Sequence, residues 1–350
     1  MSGFVQTRSS RGLLALTGLR QVGPATAERL ANRFATLEEV AEAPVSQLQG
    51  VATAAAIESI RQRGSITESS RRAEAVLEAS ERHGVRVLSV FDEDYPKALQ
   101  RLTDRPPVLY VKGRLRDVER CVACIGTREP SEFGEKVTDR IVGQLVEARW
   151  IIVSGLATGV DTIAHRGAVS RRGRTIAILA GGLEKVYPAH NAKLAEEILA
   201  DGGALISEHP IGVPSAPRNL VQRDRLQSGM SVATIVMQTD IKGGSMHTVR
   251  YTLSQDRLLF APVPQGRHAE HPKSQGILAL ARLTGPELAK ALGAEGPYER
   301  LLVTKYARRP VAIPLASRDD YSSMLATLER RLAEGWQSES TGGSEQTSML

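Results

Sequence analysis

Two glycine-rich segments of the chain have the composition of phosphate-binding loops. They are Ser154-Gly155 with Gly159 close behind, and Gly243-Gly244-Ser245. Small side chains let a phosphate approach backbone N–H groups, and a helix that starts there adds partial positive charge. Neither segment continues with the Gly-Lys-Ser/Thr of a P-loop. Because tight strand-to-helix turns need glycine in any case, phosphate binding is predicted only from the accumulation of such loops on one edge of a sheet.

Arginines accompany these loops. Arg128 directly follows Gly126-Thr127, and a predicted helix over 218–229 carries Arg218, Asn219, Arg223 and Arg225. The chain has 36 Arg and 9 Lys, and arginine is the residue that binds phosphate through two parallel hydrogen bonds. About two helical turns separate Arg218 from Arg225, which predicts one common face. The alternative is an ordinary solvated helix face.

Candidate catalytic groups are few. Cys121 and Cys124 have the spacing of a redox pair, but they fall in a predicted buried strand, where structural packing is the better interpretation. Asp161 and His165 are one helical turn apart and suit acid–base chemistry, although capping and packing explain them as well. We therefore predict no catalytic residue, metal or cofactor.

The elements that position these residues follow an alternating rhythm from residue 121 onward. Alternation of short apolar strands with helices predicts an α/β fold, a doubly wound parallel sheet with helices on both faces. Ligands bind such sheets at the carboxyl ends of the strands, where the loops described above lie. The predicted strands are Cys121–Ile125, Trp150–Val153, Thr175–Leu179, Ala204–Ile206, Ala233–Met237 and Leu258–Ala261, and the predicted helices are 133–147, 159–171, 191–200, 218–229 and 245–255.

The segments that flank this core predict further regions. Two successive helix–turn–helix units lie in 12–63, a pattern typical of a helix-hairpin-helix domain of the SAM-like type, with Gln21 where the first turn usually has glycine. A small packing or dimerisation domain is the alternative. Residues 264–284 suggest an irregular linker, and 286–293 and 317–334 suggest helices. The domains expected are 1–66 (helical), 67–265 (Rossmann-like), 266–337 (partly helical) and 338–350 (a disordered tail).

Composition limits the function classes. The chain has 350 residues, of which 41% are hydrophobic and 24% charged, and this excludes a fibrous or wholly disordered protein. A net charge of +6 permits a polyanionic partner without requiring one. With 4% aromatic residues, affinity for nucleic acid is expected to be mainly electrostatic. Apolar runs are too short for a membrane span or a signal sequence, so we expect a cytoplasmic protein.

Several segments, taken in order, resemble the DNA-processing protein A family (DprA/Smf) over about residues 12–264. The segments are Arg82–Leu88, Asp94–Pro96, Pro106–Gly113, Ser154–Ala168, Gly182–Asn191 and Ile206–Glu208. The resemblance implies an extended Rossmann-like fold that binds single-stranded DNA in a basic pocket and is not an enzyme. It also implies protection of incoming DNA, loading of the RecA recombinase in natural transformation, and a homodimer formed through the Rossmann domain.

The same resemblance assigns residues. The family's Gly-Ser-Arg loop is similar to Gly126-Thr127-Arg128, its Arg-Asn-Arg stretch to Arg223-Asp224-Arg225, and its Ser-Gly-Ser-Leu-Ile-Thr motif to 243–248. Asp224 departs from the family's neutral amide. A carboxylate there either repels phosphate, at about 0.5–2 kcal/mol, or orients an arginine, at about 0–1 kcal/mol, so repulsion is expected to dominate narrowly.

A second function class shares the fold. Phosphoribohydrolases of the lysine-decarboxylase-like superfamily carry a Gly-Gly-x-Gly-Thr loop followed by glutamate. Here Gly243-Gly244 is followed by 245–250, which contain no glutamate. That absence disfavours hydrolysis but leaves a nucleotide sensor as the alternative to a DNA-binding protein.

Overall fold

The computed structural model describes residues 5–335, which form two compact units. Unit 1 comprises 5–116, 179–185 and 205–216, and unit 2 comprises 117–178, 186–204 and 217–335. The helices are α1 (Ser10–Thr17), α2 (Pro24–Arg33), α3 (Leu37–Glu42), α4 (Val45–Leu48), α5 (Ala54–Arg61), α6 (Ser65–Arg82), α7 (Lys97–Gln100), α8 (Glu132–Glu147), α9 (Val160–Ser170), α10 (Ala192–Ala200), α11 (Pro217–Gly229), α12 (Ser245–Ser254), α13 (Gln275–Arg282), α14 (Gly285–Leu292), α15 (Gly296–Lys305) and α16 (Asp320–Ala333). The strands are β1 (Arg86–Ser89), β2 (Val108–Gly113), β3 (Cys121–Ile125), β4 (Ile151–Ser154), β5 (Thr175–Ile178), β6 (Ala204–Ser207), β7 (Ala233–Val236), β8 (Leu258–Pro262) and β9 (Ile313–Leu315).

Unit 1 begins with the predicted helical hairpins. The Ser9 hydroxyl caps α1 by accepting a hydrogen bond from the Gly12 amide. Gln21 adopts φ +61° in the turn before α2, at the position where such turns usually carry glycine. Thr53 caps α5 in the same way as Ser9 caps α1. The prediction of a helix-hairpin-helix is therefore confirmed. Gln21 takes the place of the first glycine of the turn and adopts a left-handed backbone conformation.

The rest of unit 1 consists of the long helix α6 and a small strand group. The Ser69 hydroxyl on α6 donates a hydrogen bond of 2.6 Å to the Ala15 carbonyl of α1. β1 pairs antiparallel with β2, from Arg86 opposite Val111 to Ser89 opposite Val108. Residues 67–116 and the helical hairpins therefore belong to one compact unit. The boundary expected at residue 66 stays a prediction.

Unit 2 is built on a parallel sheet with the strand order β5-β4-β3-β7-β8-β9. Successive residues of β3 belong to opposite faces, as strand geometry requires. Val122 and Cys124 pack into one apolar cluster with Ile141 of α8, whereas Ile125 packs into another with Val249 of α12. Helices therefore cover both faces, and the doubly wound α/β prediction is confirmed.

The predicted linker over 264–284 is wrong in its second half. Pro264, Gly266 and Pro272 break regular structure only up to two short 3₁₀ turns. After them, α13 forms because Ile277 and Leu280 are fully buried at helical spacing. Proline and glycine interrupt regular structure only locally here, and the apolar spacing that follows them is enough to form a helix.

The C-terminal part of unit 2 adds elements that the sequence did not reveal. α14 and α16 match the two predicted helices, but α15 and β9 were missed. α14 and α15 meet at Gly285, whose amide donates a 2.8 Å hydrogen bond to the Tyr306 carbonyl. β9 extends the sheet by pairing parallel to β8. The tail expected over 338–350 lies outside the described residues, and within 5–335 no helix is long and apolar enough to cross a membrane.

Candidate functional site

A buried aspartate holds the loop that follows β4. Asp161, in the first turn of α9, accepts hydrogen bonds through Oδ2 from the amides of Gly155 (3.1 Å) and Ala157 (3.3 Å). Burial raises the pKa of Asp161 above the ordinary aspartate value, and the positive charge of Arg223 opposes that rise. The Gly155 amide, predicted to face phosphate, is therefore already satisfied by a side chain of the same unit.

Arg223 completes this arrangement from α11. The Arg223 side chain is 8% exposed, and its Nη1 donates hydrogen bonds to the carbonyls of Gly155 (2.7 Å) and Ile178. A Cβ on Gly155 would lie 2.2 Å from that nitrogen, so only glycine fits beside the guanidinium. We call this pair of residues the Asp161–Arg223 brace. Its arginine is committed to main-chain acceptors, and phosphate binding by Arg223 stays a prediction.

Asp224 pairs with its neighbour. The Asp224 Oδ1 accepts hydrogen bonds from Arg223 Nε (3.1 Å) and Gln227 Nε2 (2.9 Å). Burial raises the pKa of Asp224 to about 6, while the Arg223 charge acts in the opposite direction. Of the two roles considered for this carboxylate, the structure contains the contact expected of an orienting residue.

Arg218 and Arg225 do not share an exposed face. Arg218 is exposed in the first turn of α11, with Asn219 half-buried beside it. Arg225 is 6% exposed, and its Nη1 donates a 3.0 Å hydrogen bond to the Gln222 carbonyl. Their seven-residue spacing within α11 agrees with the predicted common side of the helix, but that side is exposed only at the Arg218 end and is buried in unit 2 at Arg225.

A buried glutamine positions the loop that carries Arg128. The Gln238 carbonyl accepts a 2.7 Å hydrogen bond from the Thr127 amide. Its side chain accepts from the Ser131 amide (2.8 Å) and donates to the hydroxyls of Ser131 (2.8 Å) and Ser274 (3.1 Å). Gln238 is fully buried and joins the loop after β3 to the start of α8 and the turn before α13. These hydrogen bonds of Gln238 fix the main chain that precedes Arg128.

Gly159 locks the loops after β3 and β4 together. Its φ of +75° and ψ of −128° lie in a region that essentially only glycine adopts. A Cβ at this position would lie 2.5 Å from the carbonyl oxygens of Thr127 and Arg128. The Val160 amide donates a 3.1 Å hydrogen bond to the Thr127 carbonyl across the same contact. Glycine is therefore required at position 159 for two reasons. It lets the loops after β3 and β4 approach closely, and it adopts backbone angles that other residues avoid.

Cationic side chains and backbone amides are exposed in these loops, together with the carboxylate of Glu129, whose side chain is 84% exposed. Arg128, Arg218 and Lys242 are exposed, and within residues 5–335 neither Arg128 nor Arg218 has a hydrogen-bond or ion-pair partner. Gly244, which is also exposed, precedes α12 and has open space around it. Its amide and that of Ser245 have no acceptor among the described residues. We call Arg128, Arg218, Lys242 and 243–245 the strand-end surface, since they follow the carboxyl ends of strands or begin the adjacent helices.

Four further side chains considered in the sequence analysis are buried inside unit 2: Ser154, His165, Cys121 and Cys124. The Ser154 hydroxyl is buried and donates a 2.7 Å hydrogen bond to the Cys124 carbonyl. His165 is buried, with Nδ1 2.7 Å from the Thr175 hydroxyl, and burial lowers its pKa to about 3. Cys121 and Cys124 are unpaired and buried, and burial raises the pKa of both thiols. No group of three or more potential metal ligands occurs in the part of the chain that the structure describes.

Sequence reasoning missed two anchoring residues. Gln238 lies two residues after β7, at the sheet edge where ligand-binding loops are expected. This position is the one feature of the sequence that points to it. Asn191 lies in a segment quoted for the family resemblance, but no role was given to it. Its Nδ2 donates hydrogen bonds to the Leu156 carbonyl (2.9 Å) and the Thr162 hydroxyl (2.8 Å), which ties the segment after β5 to the loop after β4.

Fold and site together define a Rossmann-type protein with a cationic strand-end surface and a helix-hairpin-helix region. The family model described as DNA recombination-mediator protein A matches residues 86–289, and the helix-hairpin-helix model matches residues 12–59. The chain belongs to the DNA recombination-mediator protein A family, whose members are named DprA or Smf.

Known proteins show the extent of the similarity. The chain is 34% identical over 256 residues to protein Smf of Synechocystis sp., covering 71% of this chain and 63% of that protein. It is 35% identical over 188 residues to DprA of Bacillus subtilis, covering 53% of this chain and 63% of that protein. The match thus spans less than two thirds of the length of these relatives.

Two solved structures share the fold. The X-ray structure of DprA from Streptococcus pneumoniae has a TM-score of 0.63 at 22% identity, covering 90% of this chain and 97% of that one. DprA from Helicobacter pylori, described by its single-stranded DNA binding mode, has a TM-score of 0.54 at 27% identity, covering 70% and 96%.

Proposed function

We propose that this protein is a non-enzymatic, single-stranded-DNA-binding mediator of recombination that holds the phosphodiester backbone on its strand-end surface. One observation carries the proposal: Arg128 and Arg218 are exposed without partners within residues 5–335, Arg128 on a loop held by buried Gln238 and Arg218 in the first turn of α11. A free guanidinium on a rigid loop binds phosphate at little entropic cost. The relative from H. pylori, which binds single-stranded DNA, supports the same ligand.

The surface supplies three kinds of phosphate donor. Guanidinium groups at Arg128 and Arg218 offer paired N–H donors, and Lys242 offers a point charge. The N-terminus of α12 offers the amides of Gly244 and Ser245 together with the positive end of the helix dipole. None of these donors reads a base edge, so the predicted binding is independent of sequence.

The protein partners that we propose are inferred from membership of the family, since the strand-end surface indicates only DNA. A protein that coats single-stranded DNA in recombination hands it to a strand-exchange protein, and we propose RecA for that role. A homodimer formed through the Rossmann-like region and a cytoplasmic location complete the proposal. Natural transformation is the process that we propose for it.

The salt dependence of binding tests the proposed contact. If about three phosphates are neutralised, the logarithm of affinity should fall against the logarithm of salt concentration with a slope of roughly −2, at about −0.7 per phosphate. Titration of labelled single-stranded and duplex oligonucleotides at several salt concentrations measures it. Tighter binding of the duplex would contradict the proposal.

A parallel titration with nucleoside monophosphates tests the alternative, a nucleotide sensor or phosphoribohydrolase-like enzyme. We expect no binding at concentrations that saturate the oligonucleotide, and no released base. Binding of a monophosphate in preference to the oligonucleotide would favour the alternative.

A further inference from the structure

Tyr187 is an aromatic side chain left in solvent. It is 58% exposed, the highest value among the large apolar side chains of residues 5–335 that stay exposed, and the only aromatic one among them. It has no hydrogen bond and no ring contact within that part of the chain. An exposed aromatic ring without a partner leaves its face accessible to a flat ligand.

The position of Tyr187 is fixed relative to the loops of unit 2. Four residues later, fully buried Asn191 is hydrogen bonded to Leu156 in the loop after β4 and to Thr162 in α9. β4 lies between β5 and β3, and Arg128 follows β3. The loop after β4 in turn contacts the Arg128 loop, because Gly159 lies against the carbonyls of Thr127 and Arg128. Asn191 thus connects the Tyr187 segment, through the loop after β4, to the loop that carries Arg128.

Phosphate donors follow the ring in sequence, and the nearby charges are of both signs. The Lys193 side chain is 86% exposed in the first turn of α10 and pairs with Glu197 at 4.0 Å, and Glu184 is exposed three residues before Tyr187. The Asn191 side chain does not cap α10, because it is turned inward to its own partners. Lys193 and the N-terminus of α10 are therefore the groups that would contact the phosphates of a ligand on the ring.

We propose that Tyr187 is a stacking platform for one unpaired base of single-stranded DNA whose phosphates contact the strand-end surface. This proposal rests on the proposed function and adds a residue to it. A single exposed aromatic ring that is followed by a lysine and a helix N-terminus matches a flat ligand on an anionic backbone, whereas a protein interface has an apolar centre of many residues. Stacking tolerates every base, so it adds affinity for single strands without sequence preference. The low aromatic content predicts that affinity is mainly electrostatic, and this ring would add one stacking contact to it.

Oligonucleotides that differ only in their bases test the stacking directly. The probes are a thymidine oligomer and an abasic oligomer of the same length, titrated against wild type, Tyr187→Ala and Tyr187→Phe. Wild type and Tyr187→Phe should bind the thymidine oligomer roughly tenfold more tightly than the abasic one. Tyr187→Ala should lose most of that difference and keep its affinity for the abasic oligomer. Ile313→Ala, which removes another exposed apolar side chain on β9, is the matched control and should behave as wild type.

Two results would overturn the proposal while leaving the proposed function intact. One is wild-type affinity of Tyr187→Ala for the thymidine oligomer. The other is an equal loss for both oligomers, which would assign the ring a role in shaping the loop. If the wild-type protein binds neither oligomer, both proposals fail together. Thermal unfolding should be unchanged by Tyr187→Ala, since the ring is exposed.

Discussion

The loops after β4 and β7 both carry glycines before a helix, but their backbone amides have different partners. Gly155 and Gly159 lie between β4 and α9, and Gly243 and Gly244 lie between β7 and α12. In the first, the amide and carbonyl of Gly155 are bonded to Asp161 and Arg223 inside unit 2. In the second, Gly244 is exposed, and its amide faces solvent at the start of α12. In the first loop glycine is needed at 155 and 159 because the Arg223 side chain and the carbonyls of Thr127 and Arg128 already fill the space, whereas in the second loop the space around Gly244 is open.

The difference assigns separate tasks to the arginines of unit 2. Arg223 is hydrogen bonded to the loops of unit 2, whereas Arg128 and Arg218 are exposed and are the arginines that we propose bind DNA. Substitutions should therefore divide into those that lower the free energy of unfolding and those that lower only DNA affinity.

The largest effect is expected from Arg223→Met. It leaves the carbonyls of Gly155 and Ile178 and the carboxylate of Asp224 buried without their cation, so the free energy of unfolding should fall by about 3–5 kcal/mol. Urea denaturation measures it. Arg218→Met on the same helix is the control and should change stability by less than about 0.5 kcal/mol. Equal stability of the two variants would remove the distinction between brace and surface.

Gly159→Ala should be the next most damaging change. The alanine Cβ would overlap the carbonyls of Thr127 and Arg128 in a backbone conformation that alanine avoids, at a cost of about 2–4 kcal/mol. Gly244→Ala, with open space around it and ordinary helical angles, should change stability by no more than about 0.5 kcal/mol. Thermal unfolding of both variants compares the two loops directly, and similar losses would show that the second loop is also closely packed.

Arg128→Ala should weaken binding of a single-stranded oligonucleotide by about 1.5–3 kcal/mol, the range of charge-assisted hydrogen bonds. Its free energy of unfolding should not change, since the side chain has no partner within residues 5–335. Arg308→Ala removes an exposed arginine after α15 and should bind as wild type. Fluorescence anisotropy measures affinity. Normal binding by Arg128→Ala would exclude this arginine from the site.

The smallest effect concerns pH. The folded-state pKa of Asp224 is raised to about 6, so its protonated form is favoured in the fold and its ionised form costs stability at neutral pH. As pH falls from 7 to 5, wild type should gain about 1 kcal/mol of stability relative to Asp224→Asn. Paired urea denaturation curves at the two pH values measure the difference. Parallel pH profiles of the two proteins would contradict the raised pKa.

The strands β3 to β8 could be predicted from the sequence because buried strands of a parallel sheet are continuous apolar runs. Cys121–Ile125 was predicted with its observed boundaries for that reason. α15 and β9 were missed because proline occurs beside or within them, at Pro297 and Pro314, and the flanking polarity resembles that of a loop.

The site was harder to predict because α11 buries polar side chains. Arg223, Arg225 and Gln227 lie inward together with Leu226, so no apolar period marks the inner face of the helix. Buried arginines pay for desolvation through specific acceptors, and these come from loops distant in sequence. Spacing alone could not separate Arg223, which is structural, from Arg218, which is exposed.

The burial of both thiols has a practical consequence. Cys121 and Cys124 lie fully buried in the central strand β3, and burial raises their pKa values, so the reactive thiolate is scarce in the folded protein. A cysteine introduced at an exposed position such as Arg128 or Tyr187 would then be the favoured target of a maleimide dye. The native chain can serve as the parent for fluorescence energy transfer experiments that follow a bound DNA strand, without prior replacement of its own cysteines.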